Sequence, residues 1–122
     1  MEGVMSWINT SQIMLLERYL DVVSMRQTLV STNVANVDTP GYHTRDVDFR
    51  GELMRTLNGE NTSLTSPFVV PVHGLVARPD GNNVSADREG MLLAEVQLEY
   101  KAATAILRAR FGGLTTAIRE GQ

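Results

Sequence analysis

The stretch Ser31-Thr32-Asn33-Val34-Ala35-Asn36-Val37-Asp38-Thr39-Pro40-Gly41-Tyr42 decides how the chain is built. Upstream, Leu16, Val23, Val30 and Val37 recur every seven residues, and Tyr19, Leu20 and Val34 widen that stripe. Such a repeat is the coiled-coil pattern, narrower than the apolar face of an ordinary globular helix. Asn9 and Gln12 have the spacing of a capping box, in which each side chain satisfies a free backbone N–H of the first turn. The pattern predicts a helix over Asn9–Val37. Thr39 precedes a proline and is pushed out of the α region. Pro40-Gly41 then fits the central positions of a type II turn, where glycine supplies the positive φ. Arg26 and Asn33 interrupt the seam with polar groups, which cost stability and fix register.

A second helix is predicted over Ala86–Ile118, capped by Ser85. Leu93, Tyr100, Leu107 and Leu114 recur every seven residues, and Val96, Ala103, Arg110 and Ala117 fill the other seam position. Asp87, Glu89, Glu95 and Glu99 come early, while Lys101, Arg108, Arg110 and Arg119 come late, which suits the helix dipole. Ala94, Ala102, Ala103, Ala105 and Ala109 allow another helix to approach closely. Gly112-Gly113 is expected to weaken the helix or mark a close contact.

All four prolines lie between these helices. About half of residues 1–37 and 87–122 are apolar, against about a third of residues 38–86. The organisation read from this is an N-terminal helix (1–37), an irregular, partly β linker (38–86) and a C-terminal helix (87–122). Arg45–Leu57 suits an extended segment or a short helix, with Asp46 and Asp48 on an exposed strand face. Phe68–Val72 is β-prone, and Asn58–Ser66 reads as a mobile loop. Leu75–Ala77 and the stretch from Asn83 flank Pro79-Asp80-Gly81-Asn82, a turn sequence that predicts a small β-hairpin. The expected fold is therefore mainly α: two long terminal helices in an antiparallel, coiled-coil-like hairpin, with a small β-hairpin in the middle. Neither stripe makes a core alone, so the seams need neighbouring chains to cover them.

The whole sequence has 122 residues, a formal net charge of −3 and no cysteine. The charge argues against a nucleic-acid partner, and the absent cysteines exclude a thiolate nucleophile or cysteine-ligated metal. His43, Asp46 and Asp48 could in principle hold a metal, but a solvated loop is the better reading. Asp80-Gly81-Asn82 starts like a calcium loop, yet lacks its sixth glycine and twelfth glutamate. No G-x-S-x-G elbow, phosphate loop or paired-carboxylate site stands out. No enzyme, no cofactor and no small-molecule substrate are expected. The first basic residue is Arg18 and the longest early apolar run is Ile13–Leu16, so neither a secretory signal nor a membrane span is expected. Trp7 and Ile8 read equally well as a lead-in to the helix or as an anchor into a partner.

Ser31-x-Asn33-x-Ala35-Asn36-x-x-Thr39-Pro40-Gly41-Tyr42 resembles the signature near the N-terminus of the bacterial flagellar axial proteins, which form the rod and hook. Arg45-Asp46-Val47-Asp48-Phe49 with Leu53, and Asp80-Gly81-Asn82-Asn83-Val84 with Glu89, narrow the resemblance to proximal rod members. Gln97, Tyr100, Phe111, Leu114, Ala117 and Ile118 also fit, whereas Val96 stands where relatives often carry a polar residue. The resemblance covers about Gln12 to Ile118. It implies a structural subunit that leaves the cytoplasm through the flagellar type III export apparatus without a cleavable signal, and assembles helically in the periplasmic rod. It further implies terminal helices paired in an inner rod layer, transmission of motor torque, and a share in the export channel wall. The implied partners are other copies of the chain, the rod protein FlgC, the adaptor FliE and the membrane-embedded ring. Leu16, Val23, Val30, Val37, Leu93, Val96, Tyr100, Ala103, Leu107 and Leu114 would form the helix–helix and subunit interface, with Arg26, Asn33, Asn36 and Gln97 setting subunit register. The alternative is a cytoplasmic helical adaptor or export chaperone.

Overall fold

The computed structural model describes residues 10–60 and 65–121. In chain order its elements are α1 (Thr10–Ala35), β1 (Arg45–Val47), α2 (Phe49–Leu57), β2 (Val69–Pro71) and α3 (Ala86–Glu120). The molecule is mainly helical, with a small two-stranded antiparallel sheet. The long helices run antiparallel: Arg26 of α1 faces Glu99 of α3, and Asn33 meets Glu89 near the opposite end of the contact.

Helix α1 stops two residues earlier than the pattern predicts, at Ala35. Tight turns then carry the chain to Tyr42, with Val37 N–H bonded to Val34 O and Thr39 N–H to Asn36 O. The expected type II turn closes with Tyr42 N–H donating to Thr39 O at 3.2 Å, and Gly41 has φ +75°. Gly81, at φ +86°, lies against it: a Cβ there would sit 3.4 Å from Gly41 Cα. Gly41 N–H donates to Asp80 O at 2.8 Å, so the two turns meet backbone to backbone.

The sheet is not where the turn signal put it. β1 pairs with β2 in the register Arg45↔Pro71, Asp46↔Val70 and Val47↔Val69. Arg78–Gly81 does form a turn, with Gly81 N–H bonded to Arg78 O, but no strands flank it. Asn83 is drawn instead to the segment after α1, its N–H reaching Tyr42 O. Val76 is 90% exposed, so the other arm has no buried face to hold it in a ladder. The loop over 58–66 is described only at 58–60 and 65–66, and Asn9 of the capping box lies outside the described residues.

Helix α1 buries a broader face than a strict seven-residue stripe. Val22 and Leu29 join Val47 in the core, with Met25 and Phe49 packed against them. The middle segment therefore covers one flank of α1 from within the chain, where a neighbouring chain was expected. Tyr19 meets Phe49 edge-on at 5.5 Å, and Arg26 lies over the same ring. Helix α3 starts where predicted, with Arg88 N–H donating to Ser85 Oγ. It continues through Gly112-Gly113 without a break, and a Cβ at Gly112 would meet nothing within 4 Å. Helical hydrogen bonding across the pair outweighs its poor propensity, and Gly112 marks no close contact.

Gly41→Ala should lower stability by about 1–2 kcal/mol, the cost of a left-handed L-residue, since its Cβ would meet nothing within 4 Å. Gly90→Ala, inside α3 and equally unobstructed, should be neutral or stabilising. Urea midpoints of the two variants check the pair, and equal midpoints would remove backbone conformation as the reason for Gly41.

Candidate functional site

Two sequence signatures some forty residues apart form one polar latch. The Asn33 side chain is buried where α1 passes β1. Its Oδ1 accepts from Tyr42 Oη at 2.8 Å and from Arg45 N–H at 3.2 Å. Its Nδ2 donates to Arg45 O at 2.9 Å and to Glu89 Oε2 at 3.2 Å. A carboxamide can make two bonds through each end, and this one does. Asn82 works similarly on the turn: Nδ2 donates to Asn36 O and Thr39 O, while Oδ1 accepts from Val84 N–H. Asn83 Oδ1 accepts from Thr44 N–H at 2.7 Å, and Asp80 Oδ1 from Asn82 N–H. The signature residues Asn33, Asn36, Thr39, Gly41, Tyr42, Asp80, Asn82 and Asn83 are thus gathered at one end of the molecule. Pro40 stands in the turn, and Val84 is buried; Ser31 and Ala35 lie exposed on α1.

An ionic ladder runs on from the latch. Arg88 pairs with both Glu89, at 2.9 Å, and Asp46 Oδ2, at 3.0 Å. Arg26 grips Asp46 through Nε at 3.1 Å and stands 4.0 Å from Glu99. Asp46 is therefore a buried bridge between α1 and α3, not part of an exposed strand face. Asp48 caps α2 by accepting from Gly51 N–H. His43 is exposed, and among the described residues no cluster of three or more His, Cys, Asp or Glu residues is placed to hold a metal.

A second polar knot ties α2 to α1. Arg18 donates to Glu52 Oε2 at 2.6 Å and to Thr65 O at 2.7 Å. Glu52 also pairs with Arg55 and accepts from Phe68 N–H at 2.7 Å. Burial alone would raise the Glu52 carboxyl, but the Phe68 N–H and the two arginines outweigh it and hold the group below the usual carboxylate range. Glu99 moves the other way. Burial raises it, Glu95 and Asp46 add to that, and Arg26 opposes it. Its Oε2 is buried with no hydrogen-bond partner among the described residues.

Sequence reasoning missed the roles of Arg18 and Glu52, the buried position of Glu89, which it named only as a signature residue and an early-helix charge, and the intramolecular use of Asn82. Arg18 falls at i−4 from Val22 and Glu89 at i−7 from Val96, so a charge set on an apolar period was the available signal. The register role expected of Arg26, Asn33 and Asn36 changes too. All three are bonded within the chain, which leaves Gln97 exposed among the four.

The predicted seam residues differ in burial. Val23, Val30, Val96 and Ala103 are buried; Leu16, Val37, Tyr100 and Leu107 are half-buried; Leu93 is exposed, and the Leu114 side chain lies outside the described part. The most buried line on α3 runs through Glu89, Val96 and Ala103, because the Asn33–Glu89 contact turns the helix so that Leu93 moves to its flank. Away from the latch the helices enclose an apolar groove of about 390 Å³. Its lining includes Ile13, Leu16, Leu57, Ile106, Leu107 and Phe111. Leu57, Ile106 and Phe111 remain 62%, 50% and 59% exposed. On α3, Met91 and Leu98, seven residues apart, are more exposed still. An apolar surface of this kind marks an interaction site.

No family model matches the chain. Among curated relatives, a flagellar basal body rod protein FlgB from Yersinia ruckeri is 30% identical over an aligned span of 122 residues, covering 84% of this chain and 89% of the relative. FlgB of Borrelia hermsii is 32% identical over 126 residues, covering 86% and 93%. FlgB of Cereibacter sphaeroides is 35% identical over 106 residues, covering 77% and 83%.

The pKa directions give a signed expectation. Glu52 stabilises the fold at pH values above the usual carboxylate range, and that share is lost as pH falls through its lowered folded value. Glu99 has the opposite sign: its raised carboxyl is relieved by protonation, so it destabilises at neutral pH. Urea titrations over a pH series should show a shallower acid-side loss in Glu52→Gln and a higher neutral-pH midpoint in Glu99→Gln. A lower neutral-pH midpoint in Glu99→Gln would contradict the assignment. Asn33→Ala, which strands Tyr42, Arg45 and Glu89 groups, should cost about 2–3 kcal/mol in the same assay.

Proposed function

This chain belongs to the FlgB family of flagellar basal body rod proteins and is a structural subunit of that rod, and we propose that it joins its neighbours through the apolar end of its helix pair. The supporting observation is the contrast between the two ends of α1 and α3. One end is locked by a polar latch; the other presents half-exposed leucine, isoleucine and phenylalanine side chains. Covering such an end with a second chain removes apolar area from water at about 25 cal/mol per Å². When the covering surface differs from the covered one, the contact is heterologous and propagates as a helical filament.

In this reading Leu16, Val23, Val30, Val37, Leu93, Val96, Tyr100, Ala103, Leu107 and Leu114 serve two purposes. The buried ones hold α1 to α3, and Leu16, Leu93, Tyr100, Leu107 and Leu114 complete their packing against a neighbour in a coiled-coil-like inner layer. The neighbours are other copies, FlgC, FliE and the membrane-embedded ring. The subunit reaches the periplasmic part of the rod through the type III export apparatus, transmits torque and contributes to the export channel wall. It acts as a building element and not as a catalyst. The relatives are named as rod proteins, which does not favour a cytoplasmic adaptor or chaperone.

Leu107→Asp places a charge in the apolar end. It should abolish swimming in a strain that depends on this subunit, while the variant is still exported. Normal motility with Leu107→Asp would show that this end is not an interface.

A further inference from the structure

We propose that the outer faces of the two long helices are the two halves of one contact between copies of this chain. The outer row of α3 on one copy lies against the outer row of α1 on the next, with both copies pointing the same way. On α3 the row is Met91, Ala94, Leu98, Ala105, Ala109 and Gly112, all exposed. Met91 and Leu98 are 73% and 68% exposed. The buried line of the same helix is Glu89, Val96 and Ala103. Met91, Leu98 and Ala105 each follow it by two residues, about 200° round the axis, so the row faces away from α1. Lys101 and Arg108, seven residues apart and exposed, flank it on one side.

On α1 the outer row is Met14, Glu17, Asp21, Ser24, Thr28 and Ser31, all exposed. Steps of three and four keep these residues on one face of a helix. Asp21, Ser24 and Thr28 also border a groove whose other wall is residues 65–67, which offers a seat for a side chain such as leucine. Among the described residues, none of Glu17, Asp21, Lys101 and Arg108 takes part in an ion pair.

The register inside one subunit selects the occupant. Asn33 meets Glu89, and Arg26 faces Glu99. Equal steps along the antiparallel helices from Asn33–Glu89 put Ser31 level with Met91, Ser24 with Leu98 and Asp21 with Lys101. Equal steps from Arg26–Glu99 put Glu17 level with Arg108. By either count Glu17 and Asp21 fall level with residues 101–108. Glu95, exposed on α3, is level with residues 27–30, where α1 carries no charge. A second copy set beside the first, unrotated and without axial shift, brings its α1 row to these same levels. Acids then oppose bases, and Met91 and Leu98 oppose serines, so large side chains meet small ones. Two α3 rows facing each other would instead leave Glu17 and Asp21 unmatched. Because the two rows differ, the contact is heterologous and repeats from copy to copy, giving a layer in which α1 and α3 alternate. It uses a different face from the apolar end of the helix pair, so either contact can fail without the other.

The chain has no cysteine, so introduced thiols read the contact in living cells. Ser24→Cys and Leu98→Cys in one chain, treated with a short bis-maleimide, should give covalent multimers of this subunit, and either variant alone should give none. Dimers from a single variant would mean that like rows meet, and links only to another protein would make that protein the occupant; both overturn the proposal. So would the absence of multimers in a strain that swims. Should Leu98→Cys stop assembly, Ser31→Cys with Met91→Cys must give the same pattern. Charge reversal supplies a second readout. Glu17→Lys with Asp21→Lys should shrink the swimming ring several-fold, as should Lys101→Glu with Arg108→Glu, and all four changes together should restore most of it. Normal swimming in both double variants, or no restoration on combining them, would count against the contact. Normal swimming there beside a motility defect in Leu107→Asp would sink this contact and leave the apolar-end reading standing.

Discussion

The Asn33 carboxamide is the constraint around which the remaining structure is arranged. It lies buried between a helix, a strand and a second helix, where an unmatched amide would cost on the order of 1–3 kcal/mol per lost partner. Its four bonds come from Tyr42, from both backbone groups of Arg45 and from Glu89. Meeting all of them fixes the direction in which the chain leaves α1, the edge of β1, and the rotation of α3. Asn33 in effect closes one edge of β1 with a side chain, while β2 pairs along the other. The neighbouring charges follow from this placement. Glu89 accepts from Asn33 through one oxygen and from Arg88 through the other, and Arg88 also holds Asp46, which Arg26 grips from the other side.

Hydrogen bonds specify geometry and apolar burial supplies most of the free energy, and in this molecule the two are spatially separated. Specification is concentrated at the latch and in the Arg18–Glu52 knot, where Asn33, Asn82 and Glu52 each take a defined set of partners. Apolar surface is left unfinished at the far end of the helix pair. A subunit of a filament needs both properties. The latch holds the backbone of the subunit constant, and the unfinished end gives neighbours something to gain by binding.

Much of the architecture was legible in the chain because it rests on local rules. The two helices, the cap at Ser85 and the type II turn at Pro40-Gly41 each follow from residues within one turn of each other. The Asn-rich signatures were legible as a family resemblance, but not as one site. Their partners lie 39 to 56 residues away, and no periodicity carries that information. The misplaced hairpin has the same origin: the turn signal at Pro79–Asn82 was sound, yet the strands that flank it compete with bonds to Tyr42 and Thr44. Arg26 looked like an intersubunit register residue because a polar group on an apolar stripe has two explanations, and its pairing with Asp46 depends on where β1 lies. The displacement of Leu93 to the flank of α3 likewise depends on Glu89, a charge at a core position that hydrophobic counting passes over.

Joining Asn33 to Glu89 closes a loop of 56 residues. Closing a loop of that size costs roughly 3–4 kcal/mol of chain entropy, which must be met before the latch bonds between the two signatures form. Helices α1 and α3 can flicker on a submicrosecond timescale from local contacts alone, but Asn33 lacks its fourth partner until Glu89 is present, and Asn82 Nδ2 has no acceptor until it meets Asn36 and Thr39. A chain lengthening or emerging from its N-terminus therefore carries the Asn33 latch one bond short until the last third arrives. Commitment to the folded state is deferred to the moment when Asp80–Glu89 becomes available, so the same carboxamide that fixes the geometry also sets the order of events in time.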